Sequence, residues 1–328
     1  MDSPTILVTG GAGYIGSHTC KILRRAGYNP VVYDNLSMGH RHAVKWGELE
    51  EGDVRDTARL VEVIEKHKPE AVMHFAAFIA AGESMTNPGK YFDNNVGGTL
   101  GLLQAMQDTN TRRLVFSSTA AVYNTSSIEP IDETREIAPE NTYGVTKAMS
   151  EEMIRHFAAA HDLQAVALRY FNAAGADPEG ELGEEHDPET HLIPLVLQVA
   201  SGKRPHINIF GDTYPTPDGT CIRDYIHICD LARAHMKSLE YMKDKSRSGL
   251  DVFNLGNGSG FSVRQVIDVA RKVTGHPIPE QISQVRDGDP PILISDASKA
   301  RSILGWMPEH CNLETQIDHA WKWMQVSE

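Results

Sequence analysis

The first half of the chain alternates between two hydrophobic periods. A short run, Thr5-Ile6-Leu7-Val8-Thr9, gives way to a 3.6-residue pattern over 14–26 and then to Val31-Val32-Tyr33, which predicts strand, helix, strand. The same alternation continues through a helical stretch at 57–67, the run Ala71-Val72-Met73-His74-Phe75, a helix from about Pro88, and Arg113-Leu114-Val115-Phe116-Ser117. A helix over 141–161 and Ala165-Val166-Ala167-Leu168-Arg169 complete it. Apolar runs separated by helices predict parallel strands covered on both faces by crossover helices. After about Phe171 the pattern changes. Loops rich in Gly, Pro and acid fill 177–190 and 211–219, between helical patterns at 192–201, 230–243 and 262–274 and short strands at 207–209 and 252–254. Two units are expected: 1–171, and a smaller mixed α/β unit over 172–328, some segments of which return to the first.

Composition narrows the classes. With 41% hydrophobic and 23% charged residues, the chain can bury a substantial core. A net charge of −13 argues against a protein that coats nucleic acid or an anionic membrane. Cys20, Cys221, Cys229 and Cys311 are scattered and form no C-x-x-C pair, which suits a reducing compartment. No apolar stretch approaches the roughly 18–20 residues that span a bilayer, and no basic, then apolar, leader opens the sequence, so a cytoplasmic location is expected.

Candidate chemistry begins between the first strand and the first helix. Gly11, Gly13 and Gly16 form G-x-G-x-x-G within Gly10-Gly11-Ala12-Gly13-Tyr14-Ile15-Gly16. This spacing gives a tight turn, an approach without Cβ, and a helix N-terminus for a pyrophosphate. The strand before it and the helix after it turn a weak motif into a dinucleotide-binding expectation and a doubly wound sheet of Rossmann type. At the end of the second strand, Asp34 suits a ribose diol and disfavours a 2′-phosphate, so NAD is expected over NADP. Asp34 can also cap a turn with Asn35. Asp53 lies at a third strand end and reads equally as an adenine contact or a solvated loop acid.

Tyr143 and Lys147 form Y-x-x-x-K on one helical face. A phenol is a poor base at neutral pH, but a neighbouring ammonium favours its phenolate, so the pair can exchange a proton with a sugar hydroxyl. A second occurrence, Tyr241 and Lys245, runs into Lys243-Asp244-Lys245 and reads as a solvated face. The first is preceded by Phe116-Ser117-Ser118-Thr119 at a strand's carboxyl end, where parallel sheets bind ligands.

With these residues in view, the chain resembles the extended short-chain dehydrogenase/reductases, in their branch of UDP-hexose 4-epimerases. The likeness is carried by TGGAGYIGSH at 9–18, Asp34-Asn35, His74-Phe75-Ala76-Ala77, Gly82-Glu83-Ser84, Asp93-Asn94-Asn95-Val96, Ser117-Ser118-Thr119, Tyr143 to Lys147, Arg169-Tyr170-Phe171-Asn172, GTCIRDYIH at 219–227, Arg286 to Asp289, and Asp296-Ala297-Ser298-Lys299. It implies NAD-dependent inversion at C4, interconverting UDP-glucose and UDP-galactose through a 4-keto sugar. Tyr143 would carry the proton, Lys147 would lower the phenol pKa and bond the nicotinamide ribose, and Thr119 would bond the 4-oxygen. The resemblance assigns the cofactor to Gly10, Gly13, Tyr14, Ile15, Gly16, Asp34, Asn35, Asp53, Val54, Phe75, Ala76, Ala77, Asn95, Ser117, Tyr170 and Phe171, with Tyr143 and Lys147. It assigns the UDP-sugar to Asn172, His191, Leu192, Arg223, Arg286 and Asp289, with Thr119 and Tyr143. It also implies a homodimer through the helices starting near Pro88 and Asn141; Leu100, Leu103, Met149, Met153 and Phe157 offer apolar surface for it, and their periodicity reads equally well as core packing.

The chain departs from that pattern at Ile79, where some epimerases carry a lysine, at His191 in place of Asn, at Asn124 in place of Gly, and at Leu293, where the hexose is accommodated. The sugar range therefore stays open to N-acetylhexosamines, pentoses and uronates. A 4,6-dehydratase needs a carboxylate pair directly after the threonine, where this chain has Ala120-Ala121-Val122. A regulator with a dead site is disfavoured by the intact Thr119, Tyr143 and Lys147. No metal is expected: His186, Asp187, Glu189 and His191 fall in an acidic loop that reads as solvated, without an H-E-x-x-H.

Overall fold

A computed structural model describes residues 3–244, 248–286 and 288–327. Seven parallel strands form the central sheet: β1 (Thr5–Thr9), β2 (Asn29–Asp34), β3 (Glu48–Glu51), β4 (Ala71–His74), β5 (Arg113–Thr119), β6 (Gln164–Tyr170) and, much later in the chain, β10 (Gly249–Leu255). Their spatial order is β10-β6-β5-β4-β1-β2-β3. The chain reverses direction between β1 and β4, and the carboxyl ends of those strands open the crevice where doubly wound sheets take their ligands.

Successive side chains of β1 enter different cores. Ile6 and Val8 pack with α1 (Tyr14–Arg25) and α8 (Ile228–Tyr241), while Leu7 packs with α2 (Thr57–His67), α5 (Gly98–Asp108) and α6 (Thr142–His161). Burial on both faces explains why these strands read as unbroken apolar runs. The helix expected from Pro88 is divided. A short α4 (Pro88–Tyr91), preceded by α3 (Ala81–Thr86), runs into a π turn at Phe92–Gly97 before α5 begins.

The remaining elements form a smaller layer. β9 (Ile222–His227) pairs with β7 (Asn172–Ala174), β11 (Gly260–Ser262) and β13 (Ile292–Leu293), while β8 (Ile207–Phe210) pairs with β12 (Glu280–Ser283). α7 (Leu192–Ala200), α9 (Val263–Thr274) and α11 (Leu313–Val326) cover it, and α10 (Ser298–Ile303) returns to the first core through Ala300.

Three expectations are corrected. Residues 252–254, read as part of the second unit, lie in β10 and pair with β6 across Leu250↔Ala165 to Leu255↔Tyr170; a local pattern identifies a strand but not the sheet that receives it. Leu103 is fully buried against the sheet and offers no surface, whereas Leu100 and Met149 are exposed. Tyr241 is no solvated face: its hydroxyl donates to Asp251 at 2.7 Å and its ring meets Phe253 edge-on. Its motif partner Lys245 lies outside the described residues. Among the described residues no helix is long and apolar enough to cross a membrane.

Candidate active site

The glycine turn is dictated by close approach. Gly10 has φ +73°, and a Cβ there would lie 2.5 Å from Ala76 N. A Cβ on Gly16 would meet Gly10 O at 2.2 Å, so the helix can start this close to β1 only without a side chain. Gly13 differs: a Cβ there would meet Gly10 O at 3.4 Å, an ordinary contact, so the fold itself does not require a glycine at this position. Gly13 is also the N-cap of α1, and no side chain caps that end. The first-turn N–H groups, including those of Tyr14, Ile15 and Gly16, therefore face the opening without an intrahelical acceptor. The Tyr14 side chain points elsewhere, its hydroxyl donating to Gly175 O at 2.6 Å, while Ile15 packs on the core. Both can serve an anion only through the backbone.

Asp34 ends β2 and is nearly buried. Its Oδ2 accepts Ala12 N–H at 3.0 Å and its Oδ1 accepts Leu36 N–H at 2.8 Å. Burial raises the carboxyl pKa, against the pull of these two donors. The carboxylate therefore braces the glycine turn from the place where a ribose diol would sit, which unites the two sequence readings. Asp53 is held by Asn35 Nδ2 at 2.9 Å and by Arg55, whose guanidinium keeps its pKa far below the usual range. Val54 is buried beside α5.

The proton-handling group forms where β5 ends and α6 begins. Asn141 caps α6 by accepting Gly144 N–H at 2.9 Å. A Cβ on Gly144 would lie 2.2 Å from Ala121 O, so the glycine lets α6 press against the turn that follows Thr119. Tyr143 and Thr119 are thereby brought near each other, close enough for the Thr119 hydroxyl to favour the phenolate. Ser84 Oγ, itself fully buried, accepts Tyr143 N–H at 3.0 Å and fixes the first turn from the other side. One turn on, Lys147 Nζ donates to Ser117 O at 2.8 Å and lies 4.9 Å from the Phe116 ring centroid. Burial pushes the Tyr143 phenol up to about 12, opposed by the Thr119 bond, and pushes the Lys147 ammonium down to about 7. In the polypeptide alone both groups are desolvated together, and burial is the largest influence on each.

Behind this group lies a network that motif spacing did not reveal. Glu151, one turn beyond Lys147, accepts Ser118 Oγ and a forked pair from Arg169, and Arg169 also donates to Tyr123 Oη at 2.8 Å. Tyr123 Oη in turn donates to Asn254 Oδ1 at 2.7 Å. All five side chains are buried. Only the i, i+4 spacing of Lys147 and Glu151 signalled any of it.

Other candidates divide into those facing the cleft and those spent on structure. Ser117 Oγ bonds the Tyr170 hydroxyl, and the Phe75 ring packs 4.7 Å from His235. Ala76 and Ala77 follow β4 beside Gly10 and are partly exposed. Asn95 is saturated by protein: its amide bonds Phe78 N at 2.9 Å, Phe78 O at 3.0 Å and Thr146 Oγ1 at 3.0 Å. It shapes the wall through the Phe78 backbone. Ile79 is exposed, and Asn124 forms a local turn by accepting Ser126 N–H.

The opposite wall comes from the small sheet. β7 follows directly on β6, so Asn172 stands next to Phe171, which clusters with Ala120 and Leu293. Register pairs Asn172 with Tyr225 and Leu293 with Arg223. Asn172 Nδ2 donates to Asp224 O at 3.1 Å, Arg223 is ion-paired with Asp289, and the Arg286 guanidinium stacks 3.6 Å from the Phe210 ring centroid. His191 caps α7 through its backbone conformation, just before Leu192, and its Nδ1 bonds Glu184.

A family model described as NAD dependent epimerase/dehydratase matches residues 6–256. The chain belongs to this family. It is 51% identical over 318 residues to a UDP-glucose 4-epimerase of Halalkalibacterium halodurans, spanning 97% of this chain and 95% of that protein. Among solved structures it matches a UDP-glucose 4-epimerase from Brucella ovis in complex with NAD, with a TM-score of 0.94, 50% identity, and coverage of 97% and 98%. A UDP-glucose 4-epimerase from Bifidobacterium longum in complex with NAD+ and UDP gives 0.93, 38% identity and 98% coverage of each chain. The NAD that this family requires fits the residues present. A glycine at position 13 that the fold does not itself require, an uncapped helix start and a carboxylate at the end of β2 match a pyrophosphate and an unphosphorylated ribose.

Proposed function

We propose that this chain interconverts UDP-glucose and UDP-galactose by inverting C4, using tightly held NAD. The observation that carries the reading is the buried Thr119–Tyr143–Lys147 group, set at the carboxyl ends of the sheet beside the open glycine turn. NAD, when bound, supplies an acceptor for the C4 hydride and a donor that returns it. Tyr143 Oη takes the proton of the 4-hydroxyl and gives it back after the sugar has turned its other face. Thr119 Oγ1, which accepts Ala121 N–H and lies near the phenol, orients the 4-oxygen. Lys147, anchored on Ser117 O, supplies the positive charge that favours the Tyr143 phenolate, the form that accepts this proton. Arg223 and Arg286 complement the substrate diphosphate, with Asn172, His191, Leu192 and Asp289 completing the UDP wall.

Incubating the purified protein with UDP-galactose and no added cofactor, then resolving the two isomers, tests the reading. UDP-glucose is the expected product, and no conversion even after NAD is supplied would refute it. Because Leu293 packs against Phe171 beside the reacting group, the same assay with N-acetylhexosamine, uronate and pentose substrates defines the sugar range. The protein works as a homodimer in the cytoplasm. Exposed Leu100 on α5 and Met149 on α6 support the dimer, and a monomeric mass in solution would remove it.

A further inference from the structure

The segment that joins β7 to α7 carries a group of side chains that the epimerase chemistry does not use as a unit. Glu184, His186, Glu189 and His191 each present one ligand atom, and the four atoms lie within 4.8 Å of one another. Glu184 Oε1 is 3.0 Å from His186 Nδ1 and also bonds His191 Nδ1, while Glu189 Oε1 is 3.9 Å from His186 Nδ1. Both carboxylate side chains are only 6% exposed. The loop is therefore not the solvated one that its composition predicts.

Two other clusters of potential ligands occur among the described residues, and each already surrounds a cation of the protein. Lys21 Nζ sits 2.7, 3.0 and 2.6 Å from Asp177, Glu179 and Glu181. Lys66 Nζ lies between Glu48 and Glu50 in the cluster that includes His67, and Arg59 adds a second charge to Glu50. Among the described residues, no lysine or arginine pairs with Glu184 or Glu189. Among the described residues, the ionisable side chains that meet these two nearly buried carboxylates are imidazoles.

The scaffold around the four is fixed. Glu189 Oε1 accepts the N–H groups of Thr190 at 2.6 Å and His191 at 2.8 Å, and the Tyr14 ring stands edge-on to His186. His40 Nε2 bonds Glu185 O at 2.8 Å, tying the segment to the first domain. Two imidazole nitrogens and two carboxylate oxygens make a compact four-donor set that suits zinc; calcium and magnesium take six or more oxygens. Four protein ligands leave no open position, which marks a structural ion and not a catalytic one.

We propose that Glu184, His186, Glu189 and His191 bind a structural zinc ion that pins this segment and the start of α7 against the first domain. The inference shares His191 with the proposed UDP wall, and its tests read bound metal and ligand type, which do not depend on epimerase turnover. Untagged full-length protein, treated with chelator and dialysed, is titrated with zinc chloride by calorimetry, and its bound metal is measured by elemental analysis. One zinc per chain is expected, with no comparable uptake of magnesium. His186→Ala, and separately Glu189→Gln, should weaken zinc binding by at least about the hundredfold that loss of an outer-shell partner can cause. X-ray absorption of the loaded protein should show nitrogen and oxygen ligands without sulfur, a readout that needs no variant. Absence of stoichiometric zinc overturns the proposal. So does undiminished binding by His186→Ala, which would place the ion elsewhere, for instance near the clustered His227, His310 and His319 rings.

Discussion

Replacing Lys147 by methionine should make the NAD-free protein more stable while abolishing its turnover. The lysine is almost completely buried, and burial lowers its pKa from 10.5 to about 7. At 1.36 kcal/mol per pH unit that drop corresponds to about 5 kcal/mol against folding. The folded chain holds fewer protons than the unfolded one between about pH 7 and 10.5, so this group makes stability rise with pH across that window. Methionine preserves the stem of the side chain and removes the charge. It loses the 2.8 Å bond to Ser117 O, worth about 1–3 kcal/mol including the stranded acceptor. The net gain is about 2–4 kcal/mol near pH 7, or a midpoint rise of about 3–6 °C. Urea and thermal unfolding of both NAD-free proteins at pH 7 and pH 9.5 measure the effect. The gap should narrow at the higher pH, because wild type recovers there what the variant never loses. A variant no more stable than wild type at pH 7, or one that keeps the same rise with pH, would refute the reasoning. The same substitution should lower kcat by at least about a hundredfold, since the charge that costs stability is the one placed beside the Tyr143 phenolate.

Four further substitutions test the site. Tyr143→Phe should retain its NAD, measured by absorbance after purification, and lose about a hundredfold or more in turnover; near-normal activity would displace the tyrosine from its role. Gly16→Ala should lower the unfolding midpoint of the NAD-free protein, because its Cβ would sit 2.2 Å from Gly10 O. Gly13→Ala, with 3.4 Å of clearance, should leave that midpoint nearly unchanged and weaken NAD binding, so equal losses of stability would contradict the assignment of Gly13 to the cofactor. Arg169→Met leaves Glu151 buried without its forked partner and should cost about 3–5 kcal/mol in urea unfolding, and a loss under 1 kcal/mol would show that water or Ser118 alone satisfies the carboxylate.

Legibility from sequence followed chain distance. The glycine turn and the Tyr143–Lys147 pair were legible because their geometry is set by a few adjacent residues and by the rise of one helix. Asp34 was legible in place, but its bond to Ala12 N–H, which braces the turn, was not. Ser84 holds Tyr143 across 59 residues, and Asn254 joins the Tyr123–Arg169–Glu151 network from β10. No local period encodes such meetings. Asn95 shows the converse: its place in a motif was visible, yet the structure spends its amide on Phe78 and Thr146.

The acidic loop marks the boundary most clearly. Its composition and the net charge of −13 describe a solvated, soluble surface. Folding distributes those acids among partners from the first domain and the loop itself, with Lys21 taking three carboxylates and two histidines taking two more. By itself, then, the sequence determined the crossover architecture, the glycine turn and the Tyr143–Lys147 pairing on one helical face, because hydrophobic period and helical spacing act over a few residues. Only the tertiary structure decided which sheet received β10, which carboxylates were buried and how far desolvation moved Tyr143 and Lys147. Burial and charge pairing depend on what the rest of the chain brings near, and that is fixed only when distant segments close around the site.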